Sequence, residues 1–343
     1  MSDNLQWGIL GLGGIARRFA EGLRQSRTGR LVAVASRDAA KAEAFGAEFA
    51  APRRHSSYEA LLADPLVQAV YIATPHPMHA QWAIKAAEAH KHILCEKPLT
   101  VNHAQAAAVV DAARRSDVFL MEAFMYRCHP QIARLVELVR GGAVGQVRAI
   151  RASFSFDAGF NPEGRLLKKS LGGGGILDVG CYPMSMVRLL AGAAAGKDFA
   201  DPIEVKGCAH LGATGVDEWA VAVMRLPGDI VAEVATGVRL ARDNTVQIYG
   251  SEGSLTVPEP WTPRREEGAS RLLVQKKGQD RPEEIRVESS ASLYALEADV
   301  VAADLSRRQA RPPAMTWDDS LGNMLALDRW RESIGLEYDV DRK

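Results

Sequence analysis

The run Gly8-Ile9-Leu10-Gly11-Leu12-Gly13-Gly14-Ile15-Ala16 constrains the fold of this chain more than any other stretch. An apolar segment, Trp7 to Leu10, stops at a glycine, and an Ala-rich amphipathic segment, Ile15 to Arg24, follows directly. Gly11, Gly13 and Ala16 fit the pattern G-x-G-x-x-G/A of a strand-to-helix turn. The first glycine permits the tight turn, the second lets backbone approach a pyrophosphate, and the small third residue lets helix and strand pack closely. The helix N-terminus beyond the turn attracts the anion. Such glycine turns also occur without a ligand, but this one opens the first strand-helix unit of the chain. It predicts a dinucleotide site with Gly11, Gly13, Gly14, Ile15 and Ala16 at the pyrophosphate.

The first third continues the alternation expected of a parallel sheet. Strands are predicted at 7–10, 31–35, 69–73, 92–95 and 118–121, with helices at 15–24, 39–49, 80–89 and 103–114. Asn102 is placed to cap the last helix, with Gln105 at its N3 position. After about residue 145 longer β-branched and aromatic runs take over, at 146–156, 203–211, 218–226, 230–240, 245–249 and 254–257. Pro227-Gly228-Asp229 and Ser251-Glu252-Gly253 read as hairpin turns, so an antiparallel sheet is expected. Helices at 293–305 and 318–334 close the chain, and Arg264–Gly268 reads as a solvated loop. The fold class is therefore an α/β Rossmann domain over 1–125 followed by an α+β domain over 126–343 with a large open, mainly antiparallel sheet.

Composition narrows the partners. Lys+Arg and Asp+Glu both number 42, so no net field draws a polyanion or an anionic membrane, and nucleic acid is not an expected partner. The four cysteines form no C-x-x-C pair, which predicts neither a zinc site nor a disulfide framework and suits a reducing cytoplasm. The N-terminus lacks a basic segment followed by an apolar core, and no apolar run approaches the ~18 residues of a membrane span.

Three further segments carry chemistry. At the end of the second strand, where a NAD site usually places an acid on the ribose, stand Ser36 and Arg37. A hydroxyl and a guanidinium suit a 2′-phosphate, so NADP(H) is expected over NAD(H). The competing reading leaves Arg37 in solvent and lets Asp38 cap the next helix or reach the ribose. The third and fourth strands end in Thr74-Pro75-His76-Pro77-Met78-His79 and Glu96-Lys97-Pro98, both expected to face the cofactor because ligands bind beyond the carboxyl ends of such strands. His76 and His79 are read as shaping the nicotinamide pocket. Lys97, held by the following proline, is a candidate for proton transfer, although a Glu-Lys surface pair is the commoner meaning of that dipeptide. In the second domain Gly172–Gly175 precede Asp178 and Tyr182. A helix from Gly175 would put these two, four apart, on one face. The plainer reading makes Tyr182 a core aromatic and Asp178 a helix-terminal residue.

Together these residues closely resemble the glucose-fructose oxidoreductase, inositol dehydrogenase and rhizopine-catabolism (Gfo/Idh/MocA) family over nearly the whole chain. The resemblance rests on Gly11-x-Gly13-x-x-Ala16, Thr74-Pro75 with His79, Glu96-Lys97-Pro98, and Gly174–Tyr182. Many members carry His where Tyr182 stands. Tyrosine is similar to the branch of dimeric dihydrodiol dehydrogenases and NADP-dependent D-xylose dehydrogenases. The resemblance implies a sugar or cyclic polyol substrate, and a homodimer or homotetramer built on the C-terminal sheet. It implies Lys97, Tyr182 and Asp178 as catalytic residues, with Arg127 also on the substrate. A phenol, with a pKa of ~10 lowered by a neighbouring ammonium, would accept the hydroxyl proton as hydride leaves for nicotinamide. Two alternatives stay open: a tightly held NAD(P) serving glycosidic cleavage or epimerisation without net redox, and a non-catalytic sugar or dinucleotide sensor. A sensor has no evident need for the Lys97, Asp178 and Tyr182 set.

Overall fold

A computed structural model describes residues 4–263 and 269–342; the expected loop at 264–268 lies outside them. The first sheet contains β1 (Leu5–Leu10), β2 (Gly29–Ala35), β3 (Arg53–His55), β4 (Ala69–Ile72), β5 (His92–Glu96) and β6 (Leu120–Ala123), in the order β3-β2-β1-β4-β5-β6. Every neighbouring pair is parallel. Between the strands run α1 (Gly14–Leu23), α2 (Ala39–Glu48), α3 (Tyr58–Leu62), α4 (His79–Glu88) and α5 (His103–Arg115). The order reverses between β1 and β4, and in such sheets the crevice beyond the strands' carboxyl ends at that switch is where a dinucleotide lies. Under the sheet, Phe19 of α1 stacks on Tyr71 of β4 at 3.9 Å and meets Trp7 of β1 edge-on at 5.3 Å. Neither β3 nor α3 was expected. β3 reads Arg-Arg-His, with no apolar run to betray a strand.

The second sheet is built from β7 (Val147–Ser155), β8 (Glu204–Leu211), β9 (Asp217–Leu226), β10 (Ile230–Gly237), β11 (Val246–Gly250), β12 (Gly253–Val257), β13 (Ser270–Lys276) and β14 (Glu283–Val287). Its order is β14-β13-β12-β11-β7-β10-β9-β8. Both expected hairpins are present, joining β9 to β10 and β11 to β12. The sheet is mixed, because β7 and β10 run parallel at its centre. β13 and β14 escaped the sequence reading because polar and charged residues interrupt their alternation. One face is covered by α6 (Pro130–Arg140) and α7 (Cys181–Ala194), both unforeseen as helices of this extent. The stretch Lys169–Ala194 is long and apolar enough to cross a membrane, yet its 18-residue apolar window is buried within the fold, where α7 packs on β7 and β10. The opposite face alternates outward, with Trp219, Val221 and Val223 exposed on β9.

The chain forms two compact units, each drawn from more than one stretch of sequence. The first contains the chain up to Thr100, Ala104–Cys128 and Ala291–Ser320, and the second Val101–His103, His129–Ser290 and the chain from Leu321. The late helix α8 (Leu293–Asp304) returns to the first unit and packs on α1. A Cβ on Gly22 would stand 2.5 Å from Tyr294 Cβ, so only glycine lets the two helices approach this closely. Asp299 then clasps the α1–β2 loop, accepting from Ser26 Oγ at 2.6 Å, Thr28 Oγ1 at 2.7 Å and Arg27 N at 3.1 Å. The last helix, α9 (Trp317–Ser333), begins in the first unit and continues in the second.

Candidate active site

The turn between β1 and α1 has the shape its glycines predict. Gly11 sits at φ +86°, and a Cβ there would press to 2.9 Å from Ala73 O. At Gly13 and Gly14 a Cβ would meet nothing within 4 Å, so open space stands before the helix. α1 starts at Gly13 without a side-chain cap and carries no acid in its first turn, so its amides and dipole are offered to an anion from outside. Ala16 is fully buried, as close helix-strand packing requires. Across the switch point Thr74 Oγ1 is buried with no hydrogen-bond partner among the described residues. This donor set fits a pyrophosphate-bearing cofactor.

At the end of β2, Asp38 is the N-cap of α2, accepting from Lys41 N at 3.2 Å. Ser36 is buried and its Oγ accepts from Asp38 N at 3.1 Å, while Arg37 is exposed. Asp38 is thus engaged in starting a helix, and the Arg37 guanidinium stands in solvent beside it.

Beyond β4 and β5 the two loops are tied together by His79. Its ring is fully buried, with Nδ1 2.9 Å from Pro98 O and Nε2 2.8 Å from Thr74 O. His76 meets that ring edge-on at 5.7 Å. His79 thus straps together the Thr74-Pro75 and Lys97-Pro98 segments. Glu96 is buried under the β5 terminus and accepts from the Tyr71 phenol and, at 3.3 Å, from Lys97 N. Lys97 follows half-buried, directly past the carboxyl end of the strand.

In the second unit Gly172–Gly175 lead into a π-helical turn, Ile176–Gly180, which passes into α7 at Cys181. The expected regular helix from Gly175 is corrected here: Asp178 lies on the π turn and Tyr182 on the α-helix after it. Isolated π turns of this kind are frequent at functional sites. Asp178 is buried and accepts from Arg165 Nη1 at 2.7 Å. Tyr182, also buried, has its ring edge-on to Phe154 at 5.1 Å and to Trp261 at 5.8 Å. Trp261 is itself fixed by donating Nε1–H to Ser153 O at 2.8 Å.

Arg127 has a structural engagement. It is buried, donating from Nη2 to Asp319 Oδ2 at 2.6 Å and from Nε to Pro313 O at 2.5 Å. Burial alone would lower its pKa, but Asp319 and Tyr126 more than offset this and hold it above its ordinary value. The four cysteines are free thiols. Cys95 and Cys181 are buried, and burial pushes the Cys95 thiol well up. Among the described residues no group of three or more His, Cys, Asp or Glu is arranged to hold a metal ion.

Sequence reasoning missed Arg165, Phe154 and Trp261. Arg165 lies in a loop whose path no local pattern encodes. The two aromatics meet Tyr182 only because β7 and the segment after β12 come together in the sheet.

Residues 5–124 match the family model of oxidoreductases with an NAD-binding Rossmann fold, and residues 132–256 match the GFO/IDH/MocA C-terminal domain. The chain is 31% identical over 347 residues to trans-1,2-dihydrobenzene-1,2-diol dehydrogenase of Mus musculus, covering 99% of both proteins. It is 36% identical over 251 residues to D-xylose 1-dehydrogenase (NADP(+)) 2 of Haloferax volcanii, covering 73% of this chain and 75% of that one. A 3-ketoreductase from Actinomadura kijaniata, solved with NADP and TDP-benzene, superimposes with a TM-score of 0.85 at 26% identity, over 97% and 98% of the two chains. With both domains matched in order and relatives aligned end to end, the chain belongs to the GFO/IDH/MocA family of oxidoreductases.

Proposed function

We propose that this oxidoreductase uses NADP(H) in preference to NAD(H) to transfer a hydride between nicotinamide and the hydroxyl or carbonyl carbon of a sugar or cyclic polyol, of the aldose 1-dehydrogenase or trans-dihydrodiol dehydrogenase type. The observation that carries the reading is Tyr182, a phenol held against Phe154 and Trp261 just beyond the π turn that bears Asp178. The choice of NADP is supported by Asp38 serving as a helix cap, which leaves Ser36 and the exposed Arg37 for a 2′-phosphate. The names of the xylose dehydrogenase and the ketoreductase complex, both stating NADP, point the same way.

When bound, the cofactor supplies the hydride acceptor at C4 of its nicotinamide. Gly11, Gly13, Gly14, Ile15 and Ala16 would hold its pyrophosphate, with Thr74, Pro75 and Glu96 framing the opposite side of the switch point. In the oxidative direction Tyr182 Oη takes the proton as the substrate O–H bond breaks. Lys97 Nζ donates to that hydroxyl and orients it. Asp178, oriented by Arg165, accepts from a neighbouring hydroxyl of the substrate. A reducing cytoplasm suits the four free thiols. Pairing of two or four copies through the open sheet face would cover the exposed Trp219, Val221, Val223, Val231 and Tyr249.

The test is a panel of aldoses, inositols and cyclic diols assayed with NADP and with NAD by absorbance at 340 nm. Turnover of at least one with a clear NADP preference is expected. A clear NAD preference refutes the cofactor assignment. Turnover of none, with cofactor co-purifying, refutes net redox and favours the tightly held cofactor mechanism.

A further inference from the structure

Asp217 opens β9, is fully buried, and belongs to no motif in the sequence. Its Oδ2 accepts from Ile176 N, the first amide of the π turn, at 2.7 Å. Two other side chains grip the same turn: Tyr338 Oη donates to Gly173 O at 2.5 Å, and Thr236 Oγ1 on β10 donates to Gly175 O at 3.1 Å. Gly174 sits at φ +115°, and a Cβ there would stand 2.2 Å from Asp217 Oδ1 and 3.2 Å from Tyr338 Oη. That Oδ1 has no hydrogen-bond partner among the described residues. The glycines of 172–175 are thus moulded around a buried carboxyl, and the phosphate cradle that their composition could suggest is filled by the protein itself.

We propose that Asp217 is a positioning residue of the reaction: by binding the first amides of the π turn, its carboxylate fixes the direction in which that turn presents Asp178 and Tyr182. The proposal rests on the reading of Tyr182 as a proton acceptor, and Asp217 acts through the backbone without touching substrate. Its grip depends on charge, since an ionised carboxylate at a helix N-terminus binds amides more strongly than a neutral acid. Burial raises the Asp217 pKa to about 7, against the opposing pull of the Ile176 and Gly175 amides and of Arg331. The titratable groups that act on it are Arg331 of α9 and Tyr338, with Asp341 beyond them on both. The clamp therefore tightens as pH rises through neutrality.

The experiment is hydrogen exchange of the backbone over 172–182 in the full-length protein, corrected for intrinsic rates, between about pH 6 and about pH 8. Wild type is expected to become several-fold more protected there as pH rises, and Asp217→Asn to show no such change. In the kinetic companion kcat rises through the same range in wild type, whereas Asp217→Asn loses that limb and about tenfold in kcat, with the KM for NADP unmoved. Asp217→Glu, which keeps the charge, restores the pH response in part. Protection that is independent of pH in wild type overturns the proposal, and that result needs no variant to fold. A wild-type pH profile in Asp217→Asn overturns it equally. If Tyr182→Phe turns over normally while the exchange response persists, the catalytic reading of Tyr182 falls and the clamp stands.

Discussion

Arg127 offers the sharpest separation of a structural from a substrate-binding role. Its guanidinium and the Asp319 carboxylate are 1% and 3% exposed and 2.6 Å apart, so neither charge has water to fall back on. Replacing Arg127 with Met keeps most of the volume and leaves Asp319 buried without its cation. Breaking a buried pair from one side costs about 3–5 kcal/mol. At roughly 2–4 °C per kcal/mol, the melting midpoint should fall by about 6–20 °C. Asp319→Leu combined with Arg127→Met removes both charges, and such replacements are neutral or stabilising by up to about 4 kcal/mol, so the double variant should recover most of the loss. The assay is denaturant and thermal unfolding of the four proteins of the cycle, with KM for the best substrate measured on each folded one. A loss under about 1 kcal/mol in Arg127→Met, or a double variant no better than the single, refutes the ion-pair account. A large rise in KM with unchanged stability would return Arg127 to the substrate.

Other perturbations test other parts of the structure. Lys97→Met and Tyr182→Phe should each lower kcat by about two to four orders of magnitude while NADP still quenches protein fluorescence on binding; near-normal turnover in either removes that residue from proton transfer. Arg37→Ala should raise the KM for NADP about 10- to 100-fold and leave that for NAD nearly unchanged, the weight of one charge-assisted contact of roughly 1.5–3 kcal/mol. His129 caps α6 through Nδ1, which accepts from Gln131 N at 3.1 Å, and burial lowers its pKa to about 4. Unfolded, the same ring takes a proton near pH ~6.5, so its contribution is complete above that and is lost as pH falls toward 4. Urea midpoints should therefore decline over that interval, and His129→Asn, which can still cap, should flatten the decline.

What the sequence disclosed and what it hid follow from how local each signal is. The β1–α1 turn was legible because steric demands at Gly11 and Ala16 act between residues a few positions apart. Strands β1, β2, β4 and β5 were legible because each is an apolar run bounded by turn or helix residues. β3 was silent because an edge strand of three polar residues needs only one paired neighbour. The π turn could not be foreseen, since its shape is imposed by Asp217, Thr236 and Tyr338, which approach from 41, 61 and 165 residues away in a fold the local sequence does not encode. Asp38 illustrates the intermediate case. Both of its roles were written in the sequence, and only the hydrogen bond to Lys41 N chose between them.

The return of α8 to the first unit bears on how the protein comes into being. During synthesis the six parallel strands have all been made once Ala123 emerges, yet the surface of α1 around Gly22 still lacks its cover and the Ser26–Thr28 loop still lacks Asp299. Those partners arrive only after the whole second sheet has been translated. The nucleotide-binding unit is therefore completed late, by a segment that follows the second sheet in the chain, and a fragment ending at residue 125 would carry the glycine turn without the helix that buttresses the one behind it.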